Sequence, residues 1–230
     1  MCPPHLTVPT HLTVPTVPTC QRSEGQCPAM TTFLLIRHGM TDAVGIVMAG
    51  HAAGVQLNAL GREQAATLPA RLGAVPIAAL YASPLERTRE TAQSIADARG
   101  LHVQIEPRFI EVDFGAWTGR RFADLVSDPQ WQLYNAVRGV TRPPGGESLL
   151  DVQQRSVEAV LQLHERHAHE VVAVVSHADT LRAILQYFLG VPIDFVQRIE
   201  LSPARISVLQ LGDGIPHVLQ INGETVPAIP

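Results

Sequence analysis

Along this chain, short apolar runs alternate with longer stretches in which apolar residues recur at helical spacing. Thr32–Arg37 (TFLLIR) is an apolar run bounded by polar residues and predicts a buried strand. In Leu60–Leu72, Gly61 is followed by Ala65, Leu68 and Leu72 at helical period, which predicts a helix packed on a sheet. Pro76–Ala82 contains a second strand, IAALYA; Ser83–Arg99 predicts a helix and Val103–Glu106 a brief third strand. Asp151–His167 sets Val152, Val157, Val160, Leu161 and His164 on one helical side, with Gln and Glu opposite. Val171–Val175 (VVAVV) is β-branched throughout except for one alanine, as a central strand should be. Leu181–Leu189 carries Leu181, Ile184, Leu185, Phe188 and Leu189 at helical period and is stopped by Gly190 and Pro192. Ile206–Leu211 and His217–Ile221 flank Gly212-Asp213-Gly214, a hairpin signal. This alternation predicts an α/β three-layer sandwich, with a mostly parallel central sheet, an antiparallel edge and helices on both faces. Ligands of such sheets sit at the carboxyl ends of the strands.

The first thirty residues break the pattern. HLTVPT at 5–10 is repeated at 11–16, VPT follows at 17–19, and six of the eighteen prolines precede Met30. Such a tract has few backbone donors and no apolar face to bury, so residues 1–29 are expected to be a disordered or polyproline-like tail. Its repeats are too short and too few for a solenoid, and it lacks the basic start and apolar stretch of a secretory signal. Met30 stands directly before the first strand. The expectation is that the natural start is Met30, the tail being an upstream repeat read as coding; a flexible appendage is the rival. Residues 30–230 then form one domain.

Composition narrows the function classes. With 46% hydrophobic and 17% charged residues the body can bury a sizeable core. A net charge of -4 argues against a general nucleic-acid binder, which needs a basic face. No apolar run approaches the roughly 20 residues that span a bilayer, so no membrane partner is expected. Cys2, Cys20 and Cys27 all precede Met30, leaving the body without a disulfide framework or thiolate metal site. A reducing, cytoplasmic location fits that usage.

Three segments place phosphate-competent side chains at the ends of predicted strands. Arg37-His38-Gly39 follows FLLI: Gly39 permits a tight turn and close backbone approach to an anion, and Arg37 offers a permanently charged fork. His38 can act as a nucleophile if its second nitrogen is held by an acceptor. In Ser83-Pro84-Leu85-Glu86-Arg87-Thr88, Ser83 and Glu86 have capping-box spacing with Pro84 at the first helical position. Arg87 then lies in a first turn, where amide donors and the dipole favour an anion. Ser176-His177-Ala178-Asp179 follows VVAVV, and His177 is a second imidazole able to donate to phosphoryl oxygens. Each segment alone is weak; their coincidence at element ends is not.

With these segments in this order, the chain resembles the histidine phosphatase superfamily, the phosphoglycerate-mutase-like enzymes, over about residues 31–222. LLIRHGMTD is similar to the family's nucleophile segment, SPLERTRETA to its second-arginine helix and VSHAD to its second-histidine segment. The resemblance implies that His38 is phosphorylated while Arg37, Arg87 and His177 complete the phosphate pocket. The stretch from Glu111 to Gly119 (EVDFGAWTG) looks like the family's proton-donor stretch, and matching Gly115, Trp117 and Gly119 puts Glu111 at the acid position. A carboxyl beside a phosphoryl dianion is raised in pKa and can protonate a leaving alkoxide. Asp113 is the competitor, with a turn or solvated position as its plain alternative. Pro143–Ser148 (PPGGES) resembles the family's GES segment; Glu147 or Ser148 could reach the pocket, with helix capping by Ser148, and Asp151 three residues on, the favoured role for Ser148. Two positions depart from many relatives: Val44 stands where they carry Asn, and Met48–Leu60 lacks their acidic residue.

His164, His167 and His169 cannot share one helical face, and no acidic set accompanies them, so no metal is expected there. No Walker segment is present. Trp117 and Trp131 read as core or pocket wall rather than stacking platforms for bases. The expectation is a phosphomonoesterase, without metal or other cofactor, acting on a small phosphorylated metabolite through a phosphohistidine. Its rivals are a mutase, disfavoured because Arg120–Arg142 is short and lacks a basic, Tyr-containing segment, and a non-catalytic relative, disfavoured because all four pocket residues are retained. The sequence assigns no oligomeric state.

Overall fold

A computed structural model describes residues 30–212 and 214–229. In chain order its elements are β1 (Thr31–Arg37), α1 (Ala59–Arg71), β2 (Ile77–Ala82), α2 (Glu86–Arg99) and β3 (Val103–Ile105). Then follow α3 (Phe122–Leu125), α4 (Pro129–Ala136), α5 (Leu149–Arg166), β4 (Val171–Ser176), α6 (Ala178–Leu189), β5 (Ile206–Leu211) and β6 (His217–Gly223). The repeat tail and Asp213 of the hairpin turn lie outside the described residues.

The six strands form one sheet in the order β3-β2-β4-β1-β5-β6. β1, β2, β3 and β4 run parallel, while β5 pairs antiparallel with β1 and with β6. The mostly parallel sheet and its antiparallel edge are as expected. Strand alternation sorts the core into two layers. Phe33, Leu35, Val172 and Val174 meet Val160, Leu163, Ile184 and Leu185 of α5 and α6. Leu34, Ile36, Ala173 and Val175 meet Leu68, Ala92 and Ile95 of α1 and α2. A third cluster, including Met48, Phe114, Trp117, Tyr134 and Val152, anchors the excursion between β3 and α5.

The helix after β2 differs from its expectation. α2 starts at Glu86, with Leu85 extended (φ -74°, ψ 146°) as its N-cap and no side-chain cap bond. The Ser83–Glu86 capping box does not form, because Ser83 still extends the strand: its N–H donates to Val175 O at 3.1 Å. Its hydroxyl is in contact with His177 instead. By contrast Ser148 caps α5 in a reciprocal box with Asp151.

Candidate active site

β1 and β4 are neighbours and parallel, so their carboxyl ends deliver His38 and His177 side by side. The register is held past the strands by His38 N–H donating to Ser176 O at 3.0 Å. The two rings meet edge to face, with centroids 5.2 Å apart and planes at 62°. Both are buried. His38 Nδ1 is 2.7 Å from Gly39 O, so this nitrogen carries the proton and Nε2 is left with its lone pair. Burial, followed by the charges of Arg87 and Arg37, holds the His38 pKa well below its usual range. Burial and then Arg87, His38 and Arg37 do the same for His177. Both imidazoles are therefore neutral at neutral pH.

The guanidiniums are tied by one edge and free at another. Arg37 donates through one Nη to Leu201 O at 2.6 Å, and Arg87 donates to Gly50 O at 2.9 Å. Arg37 Nε, Arg87 Nη1 and His177 Nδ1 are buried with no hydrogen-bond partner among the described residues. Unmatched buried donors cost about 1–3 kcal/mol each, more on a charged group, and are uncommon in folded proteins. Here Arg37 and Arg87 line the same cavity as His38, as does Arg138, whose Nε is also unmatched, and the His177 ring meets that of His38.

His38, Arg37 and Arg87 line a cavity of about 230 Å³ whose walls also include Glu111, Asp179, Arg138, Arg182, Phe114 and Trp131. Glu111 Oε1 is fixed by the N–H groups of Val112 (3.1 Å) and Thr180 (3.2 Å) and lies 3.2 Å from Thr180 Oγ1. Burial raises its pKa, Asp179 adds to the rise, and Arg87 and Arg37 only partly offset it. Arg155 clamps the segment carrying this carboxyl, donating to the backbone oxygens of Arg108, Ile110 and Glu111. Asp113 does not line the cavity; its carboxylate accepts from Gly115 N–H at 2.8 Å and serves the turn. Glu147 also points elsewhere, pairing with Arg155 at 3.0 Å.

Gly39 follows His38 directly, but its N–H donates to Thr91 Oγ1 at 3.0 Å. Its close approach is to backbone: a Cβ here would meet Gly61 O at 2.6 Å. Val44 and, from the loop Met48–Leu60, residues Met48, Ala49 and Gly50 form part of the cavity wall. Trp131 is pocket wall and Trp117 is core. His164 contacts Thr31 Oγ1, and His167 lies between Tyr81 and Glu170, so both are engaged in packing contacts remote from the cavity.

Sequence reasoning assigned no role to Arg138, Asp179 or Arg182. In the structure Asp179 bridges Arg138 (3.1 Å) and Arg182 (3.0 Å) on the cavity wall. Burial disfavours the Asp179 carboxylate, but those two cations outweigh it and lower its pKa. Asp179 was visible as the last residue of SHAD; Arg138, in a stretch without helical or strand periodicity, carried no signal.

Comparison with known proteins bears on the same span. Residues 33–224 match the family described as the histidine phosphatase superfamily (branch 1). The chain is 32% identical over 210 residues to Bifunctional protein Rv2228c of Mycobacterium tuberculosis, covering 89% of this chain but only 57% of that protein. It thus spans little more than half the length of that relative. Phosphoserine phosphatase 1 of Hydrogenobacter thermophilus is 30% identical over 199 residues, covering 84% of this chain and 92% of its own. Among solved structures, YhfR of Bacillus stearothermophilus superposes with a TM-score of 0.78 at 30% identity, over 85% of this chain and 98% of that one.

Proposed function

This chain belongs to the histidine phosphatase superfamily, branch 1, and from that premise we propose that it is a metal-independent phosphomonoesterase working through a phosphohistidine on His38. The observation that carries the reading is the trio of unmatched buried donors on Arg37, Arg87 and His177, gathered around a neutral imidazole. A phosphoryl dianion supplies the acceptors those donors lack, in charge-assisted bonds.

The steps follow from the groups present. Arg37, Arg87 and His177 hold the phosphoryl oxygens, and His38 Nε2 attacks phosphorus in line with the ester oxygen. The P–N bond forms as the P–O bond breaks, and Glu111 gives its proton to the departing alkoxide. With Oε1 tied to two N–H groups, Oε2 is the oxygen left to carry that proton. Water then attacks phosphorus, giving its proton back to Glu111, and His38 and orthophosphate are released. Catalysis here is positioning plus charge stabilisation by two guanidiniums, a task that needs no divalent ion. A cavity of about 230 Å³ is small beside typical ligand pockets of roughly 300–1,000 Å³, which favours a small phosphorylated metabolite.

The direct test is turnover of p-nitrophenyl phosphate in EDTA by the full chain and by His38→Ala. The wild-type protein should release phosphate and carry a transient phosphoryl group on the His38 peptide, while the variant loses essentially all activity. Equal rates in the two proteins would move the chemistry to another residue. Incubation with 3-phosphoglycerate separates hydrolysis from mutase chemistry: 2-phosphoglycerate formed without phosphate release would reverse the reading.

A further inference from the structure

The residue that fails to cap α2 has a different task. Ser83 is wholly buried between β2 and α2, its N–H fixed on Val175 O and its carbonyl accepting from Thr88 Oγ1 at 2.9 Å. Its Oγ lies 2.7 Å from His177 Nε2 and accepts a longer bond, 3.4 Å, from Leu85 N–H. A serine hydroxyl has one proton to give and two lone pairs. Among the described residues, His177 Nε2 is the only acceptor within hydrogen-bond distance of that proton.

We propose that Ser83 is a positioning residue that donates to His177 Nε2 and so keeps the imidazole proton on Nδ1, the nitrogen left for the phosphoryl group. The opposite tautomer fails twice. With the proton on Nε2, the Ser83 hydroxyl proton is stranded in the core, and Nδ1 turns a lone pair toward an oxyanion. With it on Nδ1, every proton has a destination once phosphate binds. The choice arises because His177 holds a single proton: burial and the facing groups Arg87, His38, Arg37 and His51 all disfavour its charged form. The functional consequence rests on the phosphohistidine reading above, but the tautomer belongs to the resting protein.

The test is a two-bond proton–nitrogen correlation spectrum of the full chain, labelled with 15N-histidine, at neutral pH without ligand. His177 is assigned by the signals lost in His177→Gln. In the wild type, Nδ1 should be pyrrole-like and Nε2 pyridine-like, and in Ser83→Ala the ring should lose that polarity. Ser83→Ala should also lower kcat on p-nitrophenyl phosphate about tenfold with KM unchanged, the loss of one aligned donor in the transition state. A pyrrole-like Nε2 in the wild type overturns the proposal, as does a His177 spectrum unaltered by Ser83→Ala. Should the wild-type protein turn over no phosphate ester, the phosphatase reading fails while the spectra still decide the role of Ser83.

Discussion

An imidazole that attacks phosphorus must be uncharged, whereas a carboxyl that protonates an alkoxide must not have ionised. The cavity favours both forms at once. Burial and two guanidiniums depress the His38 pKa, so its neutral fraction is complete before neutrality and falls only in acid, below the usual 6.5. Burial raises the Glu111 pKa, so its protonated fraction persists above the usual 4.5 and is lost as pH rises further. The sign of each shift widens the window in which the two required forms coexist. For an alkyl phosphate, kcat/KM should trace a bell, its acid limb from His38 and its alkaline limb from Glu111. Glu111→Gln, which can neither ionise nor donate as an acid, should flatten the alkaline limb and lower the rate on alkyl esters roughly 10²–10⁴-fold. Its effect on kcat/KM for p-nitrophenyl phosphate should be much smaller, because that leaving group departs without a proton and the later attack of water does not enter this ratio. Equal losses in kcat/KM on both substrates would place the acid elsewhere.

At the scale of elements, what sequence could read depended on how each segment buys its stability. β1, β4, α5 and α6 bury continuous apolar faces, so their periodicity alone announced them. α3 and α4 are short: Leu125 and Tyr134 reach the third cluster without forming a repeating stripe, Asp128 accepts from Gln130 N–H ahead of Pro129, and no periodicity marked them. Two capping signals of the same form then parted company: Ser148 caps α5, while Ser83 is drawn by a partner 94 positions away that no local pattern contains. For the same reason Arg37, His38 and His177 at strand ends and Arg87 in a helix's first turn were legible, but the Arg138–Asp179–Arg182 bridge was not. The junction of β1 and α1 offers a contrast to test. A Cβ on Gly61 would meet Met40 O at 2.0 Å, backbone that leads directly back to His38. Gly61→Ala should cost about 1–3 kcal/mol by overpacking and also lower kcat. Ser148→Ala should cost about 1 kcal/mol of stability with kcat unchanged. Urea denaturation followed by circular dichroism, paired with initial rates, measures both; a silent Gly61→Ala would mean that the two loops part easily.

For the whole molecule, the contrast lies between a net charge of -4 and a cleft walled by Arg37, Arg87, Arg138 and Arg182 against Glu111 and Asp179. Four cations face two carboxylates there, while the protein as a whole repels anions. Inorganic phosphate should therefore bind in the cleft and nowhere else with comparable strength. On the proposed reading its ligands would come from the ends of β1 and β4 and from the first turn of α2, so a bound anion would tie together segments that separate on unfolding. Binding to the folded state alone stabilises by about 2.7 kcal/mol when free phosphate is a hundred times its dissociation constant. Titrating orthophosphate into a urea melt should raise the midpoint along that logarithmic curve. Arg87→Ala removes one of the buried cations that phosphate would meet and should abolish most of the rise, whereas Arg142→Ala, on an exposed ion pair with Asp151, should leave it intact. A midpoint that climbs equally in the Arg87 variant would show phosphate acting on the surface at large, and the convergence of those three segments would then have no anion to explain it.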